Sequence, residues 1–499
     1  MLSSRSRGIC RVCAALGAVV ALASLRSTSA QSEAVPYPVM SPERVAALIE
    51  AADRKLDYLP GEVLIKFRDG VARSGQQRAL MALRSRPDVD QIQWIGSVAL
   101  LRDASQPNGR ILAEQLSSQP EVEYAEPNYL RKVHSTPNDP SYTRQWNFNG
   151  INMPGAWDIA PGGTSEVIVA VVDTGVTVVP PQNLNAQTWN GSAIVTTSAP
   201  VAPSPDFNTS RFVSPRDFTV ASPTSFVVDT DGHGTHVAGT IGEESNNSLG
   251  MAGIAYNARL MPVKVCESYW DVQFAMSRAG IRGFAPLDAG GCATSDIIAG
   301  IRYAADNGAK VINFSIGGPQ ASQSERDAFT YAVSRGAFIS ISNGNDFLEG
   351  NGVSYPAGFA PSIDGAMSVA ATTMTRLHAA YSSTGPHTEI SAPGGDSRDG
   401  GQNGQVWQFS ILPSDNDSLL IFPRFDRYSE VRLQGTSMAA PHVAGMAALL
   451  WSRGIRTPAA IEALIKQTAA DLGAAGKDDT FGYGLIQPRT ALFGLGIRK

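Results

Sequence analysis

Hydrophobic positions follow two different rhythms along this chain, and the change falls near residue 135. Before it, strand-like runs alternate with short helical patterns. After it, apolar residues gather in short unbroken runs separated by longer helical stretches. Alternation of apolar and polar residues marks a strand with one face in water, whereas an unbroken run marks a strand covered on both faces. Two globular units of different class are therefore expected.

In the first unit a strand pattern at Glu62-Val63-Leu64-Ile65-Lys66-Phe67 is followed by a helical stretch bearing Arg and Leu. A strand over 92–101, a helix near 111–116 and a strand over 122–125 complete it. This order predicts a small α+β unit with a split β-α-β arrangement of the ferredoxin-like kind. His134-Ser135-Thr136-Pro137-Asn138-Asp139-Pro140 holds too many turn formers to continue either element and marks the boundary. The second unit has apolar runs at 167–172, 259–265, 310–314, 337–342 and 366–371, with helical stretches over 236–241, 295–307, 325–334 and 437–451. That alternation predicts an α/β fold built on a doubly wound, mostly parallel sheet. Segments 183–228, 267–291 and 396–431 interrupt it and are expected to be surface insertions.

Composition supports two cores, since 43% of the 499 residues are apolar and only 17% charged. The net charge of −5 hides an asymmetry: residues 1–134 hold 17 Lys and Arg against 14 Asp and Glu, and the remainder holds 23 against 31. No basic run appears, so neither nucleic acid nor an anionic membrane is expected as a partner. Arg5, Arg7 and Arg11 precede or border an apolar stretch over 12–25 that leads to Thr28-Ser29-Ala30, the pattern of a secretory signal peptide over 1–30. Its apolar core of about 14 residues is short of the roughly 20 that span a bilayer. A soluble, monomeric export product is expected, extracellular or periplasmic. Cys10 and Cys13 fall within the signal, which leaves Cys266 and Cys292. In an oxidising compartment these are expected to pair, stabilising by roughly 3 to 4 kcal/mol, with two buried thiols as the alternative.

Three segments carry candidate chemistry. Asp173 follows the apolar run 167–172 and so sits at the carboxyl end of a buried strand, the edge that hosts sites in parallel sheets. Asp231-Gly232-His233-Gly234-Thr235-His236 places an imidazole at the mouth of a helix of small residues; His236 lies inside it, and no third ligand completes a metal site with the pair. Gly435-Thr436-Ser437-Met438-Ala439-Ala440-Pro441-His442 opens a helix apolar on every side. Pro441, tolerated in a first turn, puts Ser437 beside unpaired N–H groups and the positive end of the helix dipole. Each residue has an ordinary structural explanation when taken singly: a strand-end cap, a packed histidine, an N-cap serine.

Together, Asp173-Thr174-Gly175, His233-Gly234-Thr235-His236-Val237-Ala238-Gly239 and Gly435 to His442 resemble the three signature segments of subtilisin-like serine peptidases. The order Asp, His, Ser is the one known for subtilisin, whereas α/β-hydrolases run Ser, Asp, His. The resemblance implies that Ser437 is the nucleophile and His233 the base that later protonates the leaving amine. Asp173 then orients the imidazole, and His442 is a packing residue. It also implies an oxyanion donor, matched by Gly344-Asn345 rather than by Asn343. A substrate-binding strand is implied at Ser315-Ile316-Gly317-Gly318, and a pocket-closing segment at Ser354-Tyr355-Pro356-Ala357-Gly358, represented by Tyr355. No dense acidic cluster stands near these segments, so an apolar or aromatic side chain is the expected preference within protein and peptide substrates.

Ser245-Asn246-Asn247-Ser248-Leu249-Gly250-Met251 is similar to the family's calcium-binding loop, with Asn247 and Gln145 as the implied ligands. Gln182, however, stands where the family has an Asp nine residues after the triad Asp. No cofactor is therefore required, and calcium is an optional ligand. The first unit, 31–134, resembles the family's inhibitor-like propeptide and implies a transient intramolecular inhibitor cut away near His134 from a peptidase domain over 135–499. The combined expectation is a secreted, self-processing serine endopeptidase. A catalytically silent peptide-binding module is one alternative; a selective, kexin-like processing protease is another, with Glu267, Asp271 and Asp288 as its only hint.

Overall fold

A computed structural model of the chain describes residues 40–54, 56–130, 136–411 and 423–494. The expected signal peptide and the expected cut near His134 lie outside the described residues. The chain divides into two compact units, Met1–Arg131 and Lys132–Lys499.

In the first unit, α1 (Pro42–Asp53) precedes β1 (Tyr58–Phe67), α2 (Arg73–Leu80), β2 (Gln93–Ile95), β3 (Val98–Arg102), α3 (Gly109–Ser117) and β4 (Val122–Tyr129). The strands pair antiparallel in the order β2-β3-β1-β4, the ferredoxin-like arrangement. The single strand expected over 92–101 is a hairpin instead. Gly96 adopts φ +62° at the turn, and Ile95 pairs with Val98 across it. Helix α1 was not expected, although Ser41 caps it and Pro42 occupies its first turn. Alternate residues Val63, Ile65 and Phe67 of β1 join Leu80, Leu101, Leu112, Leu116 and Val122 in one core.

The second unit opens with two short helices, α4 (Trp146–Gly150) and α5 (Met153–Trp157), and is built on β5 (Ile168–Asp173), β8 (Arg216–Asp217), β9 (Arg259–Lys264), β10 (Val311–Phe314), β11 (Phe338–Ser342), β12 (Ala366–Thr372) and β13 (Ile390–Pro393). All pairs are parallel, in the order β13-β12-β11-β10-β5-β9-β8. Helices α8 (Thr294–Asp306) and α9 (Gln323–Ser334) cover one face through Ile301, Ala304 and Phe329. Helices α6 (His233–Gly242) and α10 (Thr436–Ser452) fill the other, where Val237, Ile241, Val443 and Leu449 are buried. After β5 the chain builds outward to β9 on one side and to β10 on the other, and this reversal opens a crevice at the strands' carboxyl ends. No helix among the described residues is long and apolar enough to cross a membrane.

The three expected surface insertions are more ordered than their composition indicates. The first forms a hairpin, β6 (Gln182–Trp189) with β7 (Ile194–Val201). The second holds α7 (Tyr269–Arg278), started by a capping box between Ser268 and Asp271. The third holds the hairpin β14 (Val406–Ser410) with β15 (Ser429–Leu433). Ala199, Val201, Trp270, Ile411 and Phe425 from all three meet in a separate buried cluster.

Candidate active site

Asp173 ends β5 with its side chain fully buried, and its Oδ1 lies 2.6 Å from Nδ1 of His233. Oδ1 also accepts from Thr174 N–H at 2.8 Å, while Oδ2 is buried without a partner among the described residues. His233 begins α6, and Gly232 before it takes φ +102°, where a Cβ would collide with the Ile411 carbonyl oxygen. A second carboxylate, Asp229, organises this turn. Its Oδ1 accepts from Asp231 N–H, Gly232 N–H and the Thr174 hydroxyl, and its Oδ2 from Thr235. Sequence reasoning missed Asp229, although a buried Asp four residues before an N-terminal helix residue is a signal for such a turn.

Burial alone would favour the neutral ring of His233, but the charge and hydrogen bond of Asp173, with Asp231 and Asp229 behind it, carry its pKa up to about 9. The ring remains 27% exposed and so reaches the crevice. The other two histidines differ. His236 is buried against the Val406 carbonyl and held down to about 3 by burial. His442 donates to the Met438 carbonyl, meets Asn147 Nδ2 at 2.8 Å, and is held to about 4 by burial. Both are neutral packing groups.

Ser437 is the second residue of α10, so its N–H points out of the helix without an intrahelical acceptor. Pro441 sits in the second turn rather than the first. A proline there donates nothing to the Ser437 carbonyl, and the Ser315 hydroxyl does so instead at 2.9 Å. The Ser437 hydroxyl in turn donates to the Ser315 carbonyl at 3.1 Å. Ser315 directly follows β10 and receives Asn313 Nδ2 at 2.9 Å. Asn345 approaches from the loop after β11; its Oδ1 accepts from Thr436 N–H at 2.9 Å and from the Thr436 hydroxyl at 3.0 Å, leaving its NH₂ unspent. Asn343 is fully buried, and its NH₂ donates to Ser383 and Thr388.

Beside Ser437 a cavity of about 380 Å³ is lined by Ser315, Gly317, Gly318, Gly344, Asn345, Ser354 and Thr436, with Pro319, Val353, Asp346 and Glu349. Ile316 and Tyr355 do not line it. The Tyr355 ring packs on Phe359, and the main chains of Tyr355 and Gly318 bond each other, so Gly318 has no free N–H for an incoming strand. Two carboxylates border the cavity although no acidic cluster was expected there. Of the acidic residues expected to hint at selectivity, Asp271 is committed elsewhere, bonding buried Lys264 at 2.8 Å.

Cys266 and Cys292 form a disulfide. Gln145 spends both ends of its carboxamide on the main chain of Ala252. Asn247 donates to Asp206 Oδ1 at 2.8 Å, and Asp139 accepts from the N–H groups of Asn246 and Asn247. Burial, with Asp139 and Glu244 nearby, pushes Asp206 up to about 6. Asp206, which follows the β6–β7 hairpin, is thus the carboxylate that Asn247 meets, whereas Gln182 opens that hairpin. No group of three or more His, Cys, Asp or Glu side chains converges for a metal among the described residues.

The Subtilase family profile matches residues 164–484, and the fervidolysin N-terminal prodomain profile matches 45–128. An extracellular protease of Xanthomonas campestris pv. campestris is 34% identical over 73% of this chain, which covers 58% of that relative's length. A thermophilic serine proteinase of a Bacillus sp. is 30% identical over 91% of this chain and 92% of its own. Among solved structures, a protease of Pseudoalteromonas arctica superposes with a TM-score of 0.54 at 29% identity, covering 72% of this chain and all of that one. With that match across most of its second unit, and Asp173 and His233 bonded at the mouth of the crevice, the chain belongs to the subtilase family of serine peptidases.

Proposed function

We propose that the chain is an exported endopeptidase that cleaves peptide bonds through an acyl-enzyme on Ser437 and is made with its first unit as a removable inhibitor. The observation that carries this reading is the Asp173–His233 hydrogen bond at the carboxyl edge of the sheet, together with Ser437 at a helix N-terminus, its hydroxyl bonded to the Ser315 carbonyl, and Asn345 held by Thr436 beside it. In this reading neutral His233 takes the Ser437 proton as the hydroxyl attacks the scissile carbonyl, and Asp173 stabilises the imidazolium that results. Asn345 NH₂ and Ser437 N–H receive the oxyanion; losing such a donor in subtilisin costs about 10² to 10³ in kcat. His233 then gives the proton to the leaving amine, and water repeats the sequence on the acyl-enzyme. Naming of a relative as an extracellular protease supports export.

Ser437→Ala tests the reading. The parent is expected to shed its first unit near His134, and the variant to keep it and lose kcat by about 10⁶. Mass and N-terminal sequence of both export products decide; a parent that retains the unit after export would overturn self-processing.

Calcium is the optional ligand of this reading. Asp139 and Asp206 offer hard carboxylate oxygens such an ion needs, and the ion would neutralise the crowded carboxylates; the Asn247 carboxamide, whose NH₂ donates to Asp206 and whose oxygen accepts from Leu249 N–H, would have to turn to add its own. Because Asp206 is protonated below about pH 6 and charged above it, chelation with EDTA is expected to lower Tm at pH 8 and to have little effect at pH 5. Equal Tm values with and without EDTA at pH 8 would remove calcium from the account.

A further inference from the structure

The cavity beside Ser437 mixes polar and apolar walls, where an apolar or aromatic side chain was the expected preference. Its walls include Gly317, Gly318, Gly344 and Gly352, and the larger side chains are few, with Val353 and Pro319 the apolar ones. Ser354 lines it while only 3% exposed, and its hydroxyl has no hydrogen bond among the described residues. The space is closed to anything larger at Gly317, where a Cβ would collide with the Ser354 hydroxyl. Asp346 and Glu349 stand on the short turn that follows Asn345. Among the described residues neither carboxylate is bonded to another group, and no Lys, Arg or His lines the cavity.

The hydroxyl of a buried serine, open to the cavity and unpaired among the described residues, and two exposed carboxylates at its rim favour a ligand that brings donors and positive charge. A long aliphatic stem can pass between glycine walls with its charged end at the water-exposed rim. We propose that this cavity receives the side chain of Lys or Arg at the acyl-donating residue of the substrate, with Asp346 and Glu349 as its charge partners and Ser354 as a hydrogen-bonding wall. The proposal rests on the peptidase reading above and assigns its substrate class.

The test uses the enzyme after removal of its first unit and a series of peptide anilides identical except for Lys, Arg, Gln, Leu or Phe at the acyl-donating residue. The ratio of kcat/KM for Lys to that for Leu, taken on one sample, does not depend on how much of the protein is folded. Lys and Arg are expected to exceed Leu and Phe by about 5-fold or more at low salt, and 1 M NaCl is expected to compress the ratio because both carboxylates are screened. Glu349→Gln combined with Asp346→Asn is expected to lower the Lys-to-Leu ratio about 5- to 10-fold. A preference for Leu or Phe, or a ratio unmoved by the double substitution, overturns the proposal and leaves the peptidase reading standing. Failure to cleave any peptide of the series overturns both.

Discussion

The sheet with its helices and the cluster formed by the three insertions reach burial by different routes. Around the sheet each element carries its own apolar face: β10 is buried at all four positions, and α10 is buried from Met438 to Trp451. Elsewhere Trp270, tilted against Phe274 of its own helix at 5.7 Å, packs on Phe425 at 6.2 Å and so joins segments far apart in sequence. The buried face of the β6–β7 hairpin uses Ala186, Thr188, Thr197 and Ala199, and the hydroxyls of Thr188 and Thr197, like that of Tyr269, are buried without partners among the described residues. The sheet is therefore specified locally and densely, whereas the cluster exists only when three polar segments come together. Each route has its own expected failure.

The largest separation is expected from a pair of substitutions. Asp173→Asn keeps the volume of the strand end but disturbs the tautomer of His233, and kcat is expected to fall by about 10⁴ with the fold intact by circular dichroism. Trp270→Ala is expected to cost about 3 to 5 kcal/mol of stability through the cavity it leaves, with activity per titrated active site within about 10-fold of the parent. The two regions do touch, since Thr230 and Ser268 share a 2.6 Å hydrogen bond and the Ser410 hydroxyl donates to the Gly232 carbonyl. A collapse of activity in folded Trp270→Ala would therefore show that the cluster helps hold His233, and would break the comparison.

The same contrast explains what was legible in the sequence. Strands β5, β9, β10, β11 and β12 were readable because doubly covered strands are written as unbroken apolar runs. Strand β13 reads Ile390-Ser391-Ala392-Pro393 and β8 has two residues, so neither holds enough apolar surface to register. The β6–β7 hairpin escaped because Ala and Thr on its buried face do not contrast with its exposed residues. Helix α7 was readable in principle, as Ser268 and Asp271 spell a capping box before an aromatic run. At the site, the motifs supplied residue identities and chain order, but which carboxylate faces the cavity beside Ser437 depends on a turn. Asp346 and Glu349 are separated from the pocket wall Ser354 by ordinary loop residues, and no periodicity links them.

The smallest expected effect concerns pH, and it divides His233 from the two histidines buried in helices. General-base catalysis needs His233 neutral, and the neighbouring carboxylates favour its charged form. The acid limb of kcat/KM is therefore expected above the ordinary histidine value of 6.5, in the direction of about 9. The linkage has the opposite sign for stability: a raised folded pKa contributes stabilisation at low pH that is lost as pH rises through the limb, so activity grows while this contribution fades. His236 and His442, held near 3 and 4, gain protons only as acid unfolds the protein, and they leave the limb a single ionisation. Asp231→Asn sharpens the point. It removes one carboxylate that raises His233 while an amide oxygen can still accept the His233 N–H, which lies 3.1 Å from Asp231 Oδ1. The limb is expected to move to lower pH by on the order of half a unit, because the charge is partly screened by solvent. A limb that does not move would mean that Asp173 alone sets the ionisation of His233.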